Sequence, residues 1–106
     1  MKTIDDFAYF CLLFDIYKGL LTEKQQNILE KHLYFDLSLN EISEEIGISR
    51  SGVLDAIEHG KENLKAYESK LHLAEKFRKL ESKIEENAHL NEEEKKELIE
   101  EIYYGI

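Results

Sequence analysis

The chain has 106 residues, 42% of them hydrophobic and 35% charged, and a formal net charge of −9. This balance predicts one soluble globular domain and not a disordered chain. The apolar run 7–14 is too short for a membrane span, which needs about 20 residues, and the single Cys11 excludes an internal disulfide. We therefore expect a cytoplasmic protein without membrane contact, in which Cys11 is a packing thiol.

Apolar residues recur at helical spacing throughout, so the predicted fold class is all-α. The first helix is predicted to begin at a Thr3 cap, with Asp6 three residues on, and to end at Gly19. Its apolar side, within residues 4–17, is wider than one small partner helix would cover. A capping box of Thr22 and Gln25 predicts the start of the second helix, because each side chain can bond the other residue's backbone amide.

The third helix and the turn after it have the clearest local signals. Ser38 and Glu41 form a second capping box, and Ile42 and Ile46 predict the buried side of a short helix. Gly47 follows at once, where a left-handed backbone would turn the chain sharply. Ile48 is then predicted to pack into the corner, and Ser49 to cap the fourth helix.

The fourth helix is predicted to place Val53, Leu54 and Ile57 inward and to bend or break near Gly60. A long C-terminal helix follows, in which residues 65–83 contain six basic and three acidic side chains. Lysine and glutamate alternate there, which favours a solvated helix side over a phosphate-binding surface. A turn over 87–90 precedes a final short helix, whose start is signalled by Asn91 and Glu94. We predict a single domain, 1–106, with a core at 20–62 and a helical extension at 63–106.

The order of caps, glycine turn and second helix predicts a helix-turn-helix. In this arrangement the first helix braces the second, whose N-terminal residues reach bases or phosphates. The alternative is a helical hairpin that only packs. The support helix and turn contain Ser38, Glu41, Ile42, Ile46 and Gly47. The candidate DNA-binding residues are Ser49, Arg50, Ser51, Asp55, His59 and Lys61, with Arg50 and Ser51 facing bases and Ser49 and Lys61 facing phosphate.

Two families resemble this stretch. The segment LLTEKQQNILEKHLYFDLSLNEISEEIGISRSGVLDAI resembles region four of bacterial sigma factors, and the span from LLFDIYKGLLTEKQQ to ENLKAYESKLHL is similar to the YlxM family, over roughly residues 10–85. The resemblance implies a small all-helical DNA-binding protein that acts in the signal recognition particle pathway, a role assigned to that family from gene neighbourhood. It also implies a support helix at 38–46, a turn at 47–49 and a recognition helix from Arg50 to about Lys61.

The charge of the recognition helix departs from the sigma-factor pattern, which usually has several cations. This helix has two cations, Arg50 and Lys61, and three acidic residues, which are Asp55, Glu58 and Glu62. Two cations predict about two phosphate contacts per subunit, and hence weak binding at physiological salt. Three interpretations stay open: a DNA-binding regulator, an accessory protein that binds signal recognition particle protein or RNA, and a dimeric scaffold with a vestigial motif. The wide apolar side of the first helix and a seam over residues 64–84 predict a homodimer.

No catalytic motif is present, and we expect no enzymatic activity, cofactor or metal. The sequence has no glycine-rich phosphate loop, nucleophile elbow or HExxH motif. His32, His59, His72 and His89 do not cluster with Cys11 at metal-ligand spacing.

Overall fold

The structure is a computed structural model that describes the backbone of residues 3–104 and the side chains of residues 6–101, 103 and 104. Over these residues the chain consists of six α-helices, one 3-10 turn and short connections, which confirms the predicted all-α class. The helices are α1 Thr3–Tyr17, α2 Glu23–Leu33, α3 Leu39–Ile46, α4 Arg50–Leu71, α5 Leu73–Glu86 and α6 Glu92–Tyr104, and the 3-10 turn is Lys18–Leu20.

The chain divides into two compact units, Met1–Leu71 and His72–Ile106. The sequence predicted one domain with an extension that begins at residue 63. The structure places the division later because α4 continues without interruption through Gly60 to Leu71. The break is at His72, a non-glycine residue with a left-handed φ of 58°.

The first unit is built around α4, which packs on α1, α2 and α3. Its core consists of side chains from all four helices, and the most deeply buried are Leu13, Phe14, Tyr17, Ile28, Leu29, Ile42, Val53 and Leu64. The C-terminal part of the apolar side predicted for α1 is buried at Leu13, Phe14 and Tyr17, because α2 and α4 pack on α1, whereas Phe7 is 42% exposed. Burying these side chains removes apolar surface from water, at about 25 cal/mol per Å² of stabilisation.

Gly60 lies inside α4, where it allows α2 to approach closely. It is buried, and a Cβ atom built there would lie 2.6 Å from Leu29 Cδ1 and 3.2 Å from Leu29 Cγ. Of the two predicted alternatives, a break at Gly60 does not occur, because α4 is one continuous helix from Arg50 to Leu71. The glycine is needed for interhelical distance and not for backbone freedom.

Helix ends follow local chemistry closely. Both predicted capping boxes form at the starts of α2 and α3, and Asn91 and Glu94 exchange bonds of 3.0 and 2.8 Å at the start of α6. The cap predicted at Thr3 involves a side chain outside those described. Gly19 does not end α1 in a left-handed conformation, since it lies within the 3-10 turn and Gly47 is the glycine with positive φ among residues 3–104.

Two tyrosine hydroxyl groups fasten the far half of α4 to the end of α1. Tyr17 is buried, and its hydroxyl donates to Glu68 at 2.7 Å. Tyr67 donates to the carbonyl oxygen of Leu20 at 3.1 Å. A hydrogen bond to a charged acceptor, such as that of Tyr17 to Glu68, contributes about 1.5–3 kcal/mol. The two bonds therefore attach the C-terminal half of α4 to the end of α1.

The second unit is a hairpin of α5 and α6, joined by the predicted turn, in which the amide of Leu90 donates to Asn87 at 3.0 Å. Phe77 and Tyr103 pack edge to face with ring centroids 6.2 Å apart. In the part of the chain that the structure describes, no helix is long and apolar enough to cross a bilayer.

Candidate nucleic-acid interface

The support helix α3 is fixed at its start by reciprocal hydrogen bonds. The Ser38 hydroxyl accepts from the Glu41 amide at 3.1 Å, and the Glu41 carboxylate accepts from the Ser38 amide at 2.8 Å. Ile42 is fully buried against the first unit's core, and Ile46 is half-buried. These bonds satisfy amides that a helix start would leave unpaired, so α3 is a firm brace.

The turn between α3 and α4 needs glycine at its first residue. Gly47 has φ 85°, a conformation that side-chain-bearing residues adopt at a cost of about 1–2 kcal/mol. Its amide donates to Ser43 at 2.8 Å. The Ser43 hydroxyl in turn donates to the carbonyl oxygen of Ile48 at 2.5 Å. The predicted turn is confirmed, and Ile48 is half-buried in the corner.

The first turn of α4 is capped and open to solvent. The Ser49 hydroxyl oxygen accepts from the Gly52 amide at 3.0 Å, and it lies 3.3 Å from the Ser51 hydroxyl. Arg50 and Ser51 are exposed. The N-terminal end of α4 therefore presents a guanidinium group, two hydroxyl groups and the positive end of the helix dipole on one surface.

Asp55 and His59 lie on the exposed side of the same helix, together with Glu58 and Glu62. His59 Nδ1 is 3.0 Å from the Asp55 carbonyl oxygen, one turn back along α4. Five of the six predicted DNA-binding residues therefore lie on an exposed side of α4 or at its start.

Lys61 is the predicted residue that differs from the others in exposure. It is half-buried, and its Nζ lies 5.0 Å from the centroid of the Phe10 ring on α1. This contact holds the ammonium group beside α1, so Lys61 is less exposed than the other five candidates, and its contact with phosphate stays a prediction. Its partial burial agrees with the spacing, since Lys61 follows the buried Ile57 by one helical turn.

Leu54 also differs from its prediction. It was expected on the inward side with Val53 and Ile57, but it is 42% exposed. The inward side of α4 is narrower than predicted, since Val53 and Ile57 are buried and Leu54 between them is not. Leu54 therefore adds an apolar group to the outer surface beside Glu58.

An ion pair that sequence reasoning missed joins α2 to the support helix. Lys31 Nζ lies 2.8 Å from Glu45 Oε1, and the glutamate is half exposed. Such a partly exposed pair contributes about 0–1 kcal/mol. The two residues are fourteen positions apart and lie on different helices, so no local sequence pattern indicates this ion pair.

The outer side of α4 is electrically mixed near its start and acidic beyond it. Within residues 50–62, all of which are described, Arg50 is the cation on this side, against Asp55, Glu58 and Glu62. Lys61 is half-buried beside Phe10, so Arg50 is the exposed cation of residues 50–62.

His32 on α2 gives the first unit a pH dependence. Burial, and then the positive charge of Lys61, lowers the pKa of His32 below its ordinary 6.5, while Asp36 opposes this. The unfolded chain therefore binds a proton at a pH where the folded chain does not. We expect the free energy of unfolding to be constant above pH 6.5 and to fall as the pH drops below it.

Urea unfolding at several pH values measures this effect. His32→Gln should remove part of the loss on acidification, and Lys61→Met should reduce it by removing the second cause. An unchanged slope in His32→Gln would show that other groups produce the acid sensitivity.

Cys11 is half-buried, with Sγ 3.9 Å from the Leu33 carbonyl oxygen. Burial, and then the charge of Asp15, raises the pKa of its thiol. The thiol is therefore protonated at neutral pH, as expected of a packing cysteine.

A braced support helix, a left-handed glycine turn and a second helix with an exposed, capped first turn define a helix-turn-helix protein. Comparison with known sequences agrees with this class. The profile of the UPF0122 family, described as "Putative helix-turn-helix protein, YlxM / p13 like", matches residues 4–103. The chain belongs to this family.

Individual relatives carry the family name alone. A UPF0122 protein of Caldanaerobacter subterraneus subsp. tengcongensis is 47% identical over 81 residues, covering 76% of this chain and 69% of the relative. A UPF0122 protein of Bacillus thuringiensis is 43% identical over 90 residues, covering 78% of this chain and 82% of the relative. A UPF0122 protein of Thermoanaerobacter sp. is 41% identical over 81 residues, covering 76% of this chain and 69% of the relative.

Proposed function

We propose that this protein binds duplex DNA through the exposed start of α4 and acts as a regulator. The observation that supports this most directly is the position of Ser49, Arg50 and Ser51, all exposed, at the capped N-terminal end of α4. The α3 brace and the Gly47 turn hold that end rigid, so its side chains enter a major groove without further ordering.

Charge sets the strength and kind of binding. Each neutralised phosphate contributes a slope of about −0.9 in log affinity against log salt. With Arg50 as the surface cation of the recognition helix, we expect a shallow salt dependence and weak non-specific affinity. Discrimination then rests on base contacts, for which an arginine bidentate to guanine contributes about 1–3 kcal/mol.

The test is selection from a random-sequence duplex library at low salt, followed by fluorescence anisotropy with the selected duplex. Arg50→Ala should weaken binding by about 5–150-fold, the equivalent of one bidentate base contact. Lys65→Ala is the matched control, because Lys65 is an exposed cation on α4 beyond the recognition turn. It should leave the affinity within about twofold, as expected of a lost distant charge in screened solution. Equal and negligible binding by wild type and Arg50→Ala would exclude this function.

A second candidate function is that of an accessory protein that binds signal recognition particle RNA through the second unit. In that unit His72, Lys76, Lys79 and Tyr103 line a cavity of 360 Å³. Lysine ammonium groups can contact phosphate, and a tyrosine ring can stack on a base. Glu75 lies 3.4 Å from His72 Nδ1 and 3.5 Å from Lys79 Nζ, which lowers the attraction for anions and makes this the weaker candidate.

Filter binding with the purified particle RNA tests the second candidate. The double variant Lys76→Ala/Lys79→Ala should lose RNA binding, whereas Lys24→Ala, an exposed cation on α2, should keep it. If the wild-type protein retains none of the RNA, this second candidate function is excluded. That result would leave the proposal of DNA binding unchanged.

A further inference from the structure

The α5–α6 hairpin buries very little of its own apolar surface. Among its described residues Ala74 is the buried one, while Phe77, Ile84 and Ile99 are 39–42% exposed and Tyr104 is 84% exposed. Units shorter than about 40 residues usually need a disulfide, a metal or oligomerisation to be stable. The single cysteine of the sequence lies in the other unit, so a disulfide within the hairpin is not available.

The apolar spacing along α5 is that of a helix in a bundle. Leu73, Phe77, Leu80 and Ile84 recur at intervals of four, three and four residues. This is the heptad pattern of helices that pack at small angles to one another. The edge-to-face contact of Phe77 with Tyr103 fills part of this seam from α6. Ile84, further along, remains substantially exposed.

An open groove runs along the hairpin where the seam is uncovered. It has a volume of 690 Å³, and its apolar lining comes from Ile84 on α5 and from Ile99 and Tyr104 on α6. A large aromatic side chain as exposed as Tyr104, next to two partly exposed isoleucines, is typical of the centre of a protein interface.

The charges at the groove's rim are of both signs. Lys95 and Lys96 line it together with carboxylates that include Glu93 and Glu100. In a two-fold interface the same surface meets itself, so it must be complementary to itself. An apolar floor with lysines and glutamates at its rim meets this requirement, because the lysines of one copy can face the glutamates of the other.

We propose that the groove on the α5–α6 hairpin is occupied by a second copy of this chain, so that two hairpins form a four-helix dimer interface. The chain's net charge of −9 makes copies repel over most of their surface. Lys95 and Lys96 provide cations at the groove, which lowers this repulsion locally. The proposal goes beyond DNA binding and does not depend on it.

The sequence alone placed a dimer contact on the apolar side of α1 and on a seam from residue 64 to 84. In the structure Leu13, Phe14 and Tyr17 of α1 and Leu64 of α4 are buried within the first unit. The α5 part of the predicted seam remains exposed at Ile84, and this residue lines the groove on the hairpin.

Sedimentation velocity of the full chain, without DNA, tests the interface. Wild type should be a dimer at micromolar concentration. The double variant Ile84→Gln/Ile99→Gln should raise the dissociation constant by more than about tenfold, as expected when central interface residues are lost. Leu20→Gln is the matched control, because Leu20 is 55% exposed in the first unit, and it should sediment like wild type.

Two further measurements keep the result unambiguous. Far-UV circular dichroism separates dissociation from unfolding, and Tyr104→Ala supplies a second variant at a side chain too exposed to matter for the hairpin's own packing. It should also weaken the dimer. A monomeric wild type would overturn the proposal, and so would a dimer that both groove variants leave intact. Because no DNA is present, neither outcome bears on the function of α4.

Discussion

Ile42→Ala should destabilise the first unit by about 2–5 kcal/mol, the range for deleting a fully buried aliphatic side chain. Ile42 is 0% exposed and joins the support helix to the core. α3 has only eight residues, too few to be stable without such packing. Losing this contact removes the brace for α4, so the DNA binding proposed above should fall together with stability.

The matched control for Ile42→Ala is Leu54→Ala. Leu54 belongs to the same helix-turn-helix but is 42% exposed. Its truncation should change the free energy of unfolding by no more than about 0.5 kcal/mol, as for other surface substitutions. Urea denaturation followed by circular dichroism measures both. A large loss in Leu54→Ala would mean that the outer side of α4 is covered in solution.

Gly60→Ala should destabilise the protein although it replaces glycine by a better helix former. In an exposed helix interior this substitution would stabilise by about 1 kcal/mol. Here the new Cβ would lie 2.6 Å from Leu29 Cδ1, inside a core where Leu29 is fully buried. Overpacking of this kind costs about 1–3 kcal/mol, so the clash outweighs the gain.

Gly19→Ala provides the control for the Gly60 experiment. Gly19 has no atom within 4 Å of a built Cβ and no left-handed backbone. Its replacement by alanine should be neutral or stabilise by up to about 1 kcal/mol. Leu29→Val introduced beside Gly60→Ala should recover part of the loss by freeing space. If Gly60→Ala were as stable as wild type, α2 and α4 would be further apart than the structure places them.

The features that could be predicted from sequence depend on neighbouring residues. A capping box joins a side chain to an amide three residues away, so Thr22 and Ser38 could be recognised without knowing the fold. The same holds for Gly47, because a short amphipathic helix that ends in glycine requires a left-handed turn. The exposed position of Arg50 and Ser51 followed from these local features.

The features that could not be predicted from sequence depend on contacts between residues that are distant in the chain. Gly60 was interpreted as a bend or a break because its contact with Leu29 on α2 cannot be seen from spacing. The true break, at His72, has no glycine or proline to signal it. The contact of the long Lys61 side chain with the Phe10 ring of α1 likewise could not be seen from spacing. In each case packing between helices overrode the local preference.

The inner and outer sides of α4 are subject to different structural constraints. Its inner side is fixed by Leu29, Leu64 and the hydroxyl of Tyr17, whereas Asp55, Glu58 and Glu62 on its outer side contribute nothing to the core. Outer positions are therefore free to drift in charge while the architecture stays intact. An acidic surface on a helix-turn-helix fold is compatible with this freedom, because charge changes on the outer side of α4 leave the buried contacts in place.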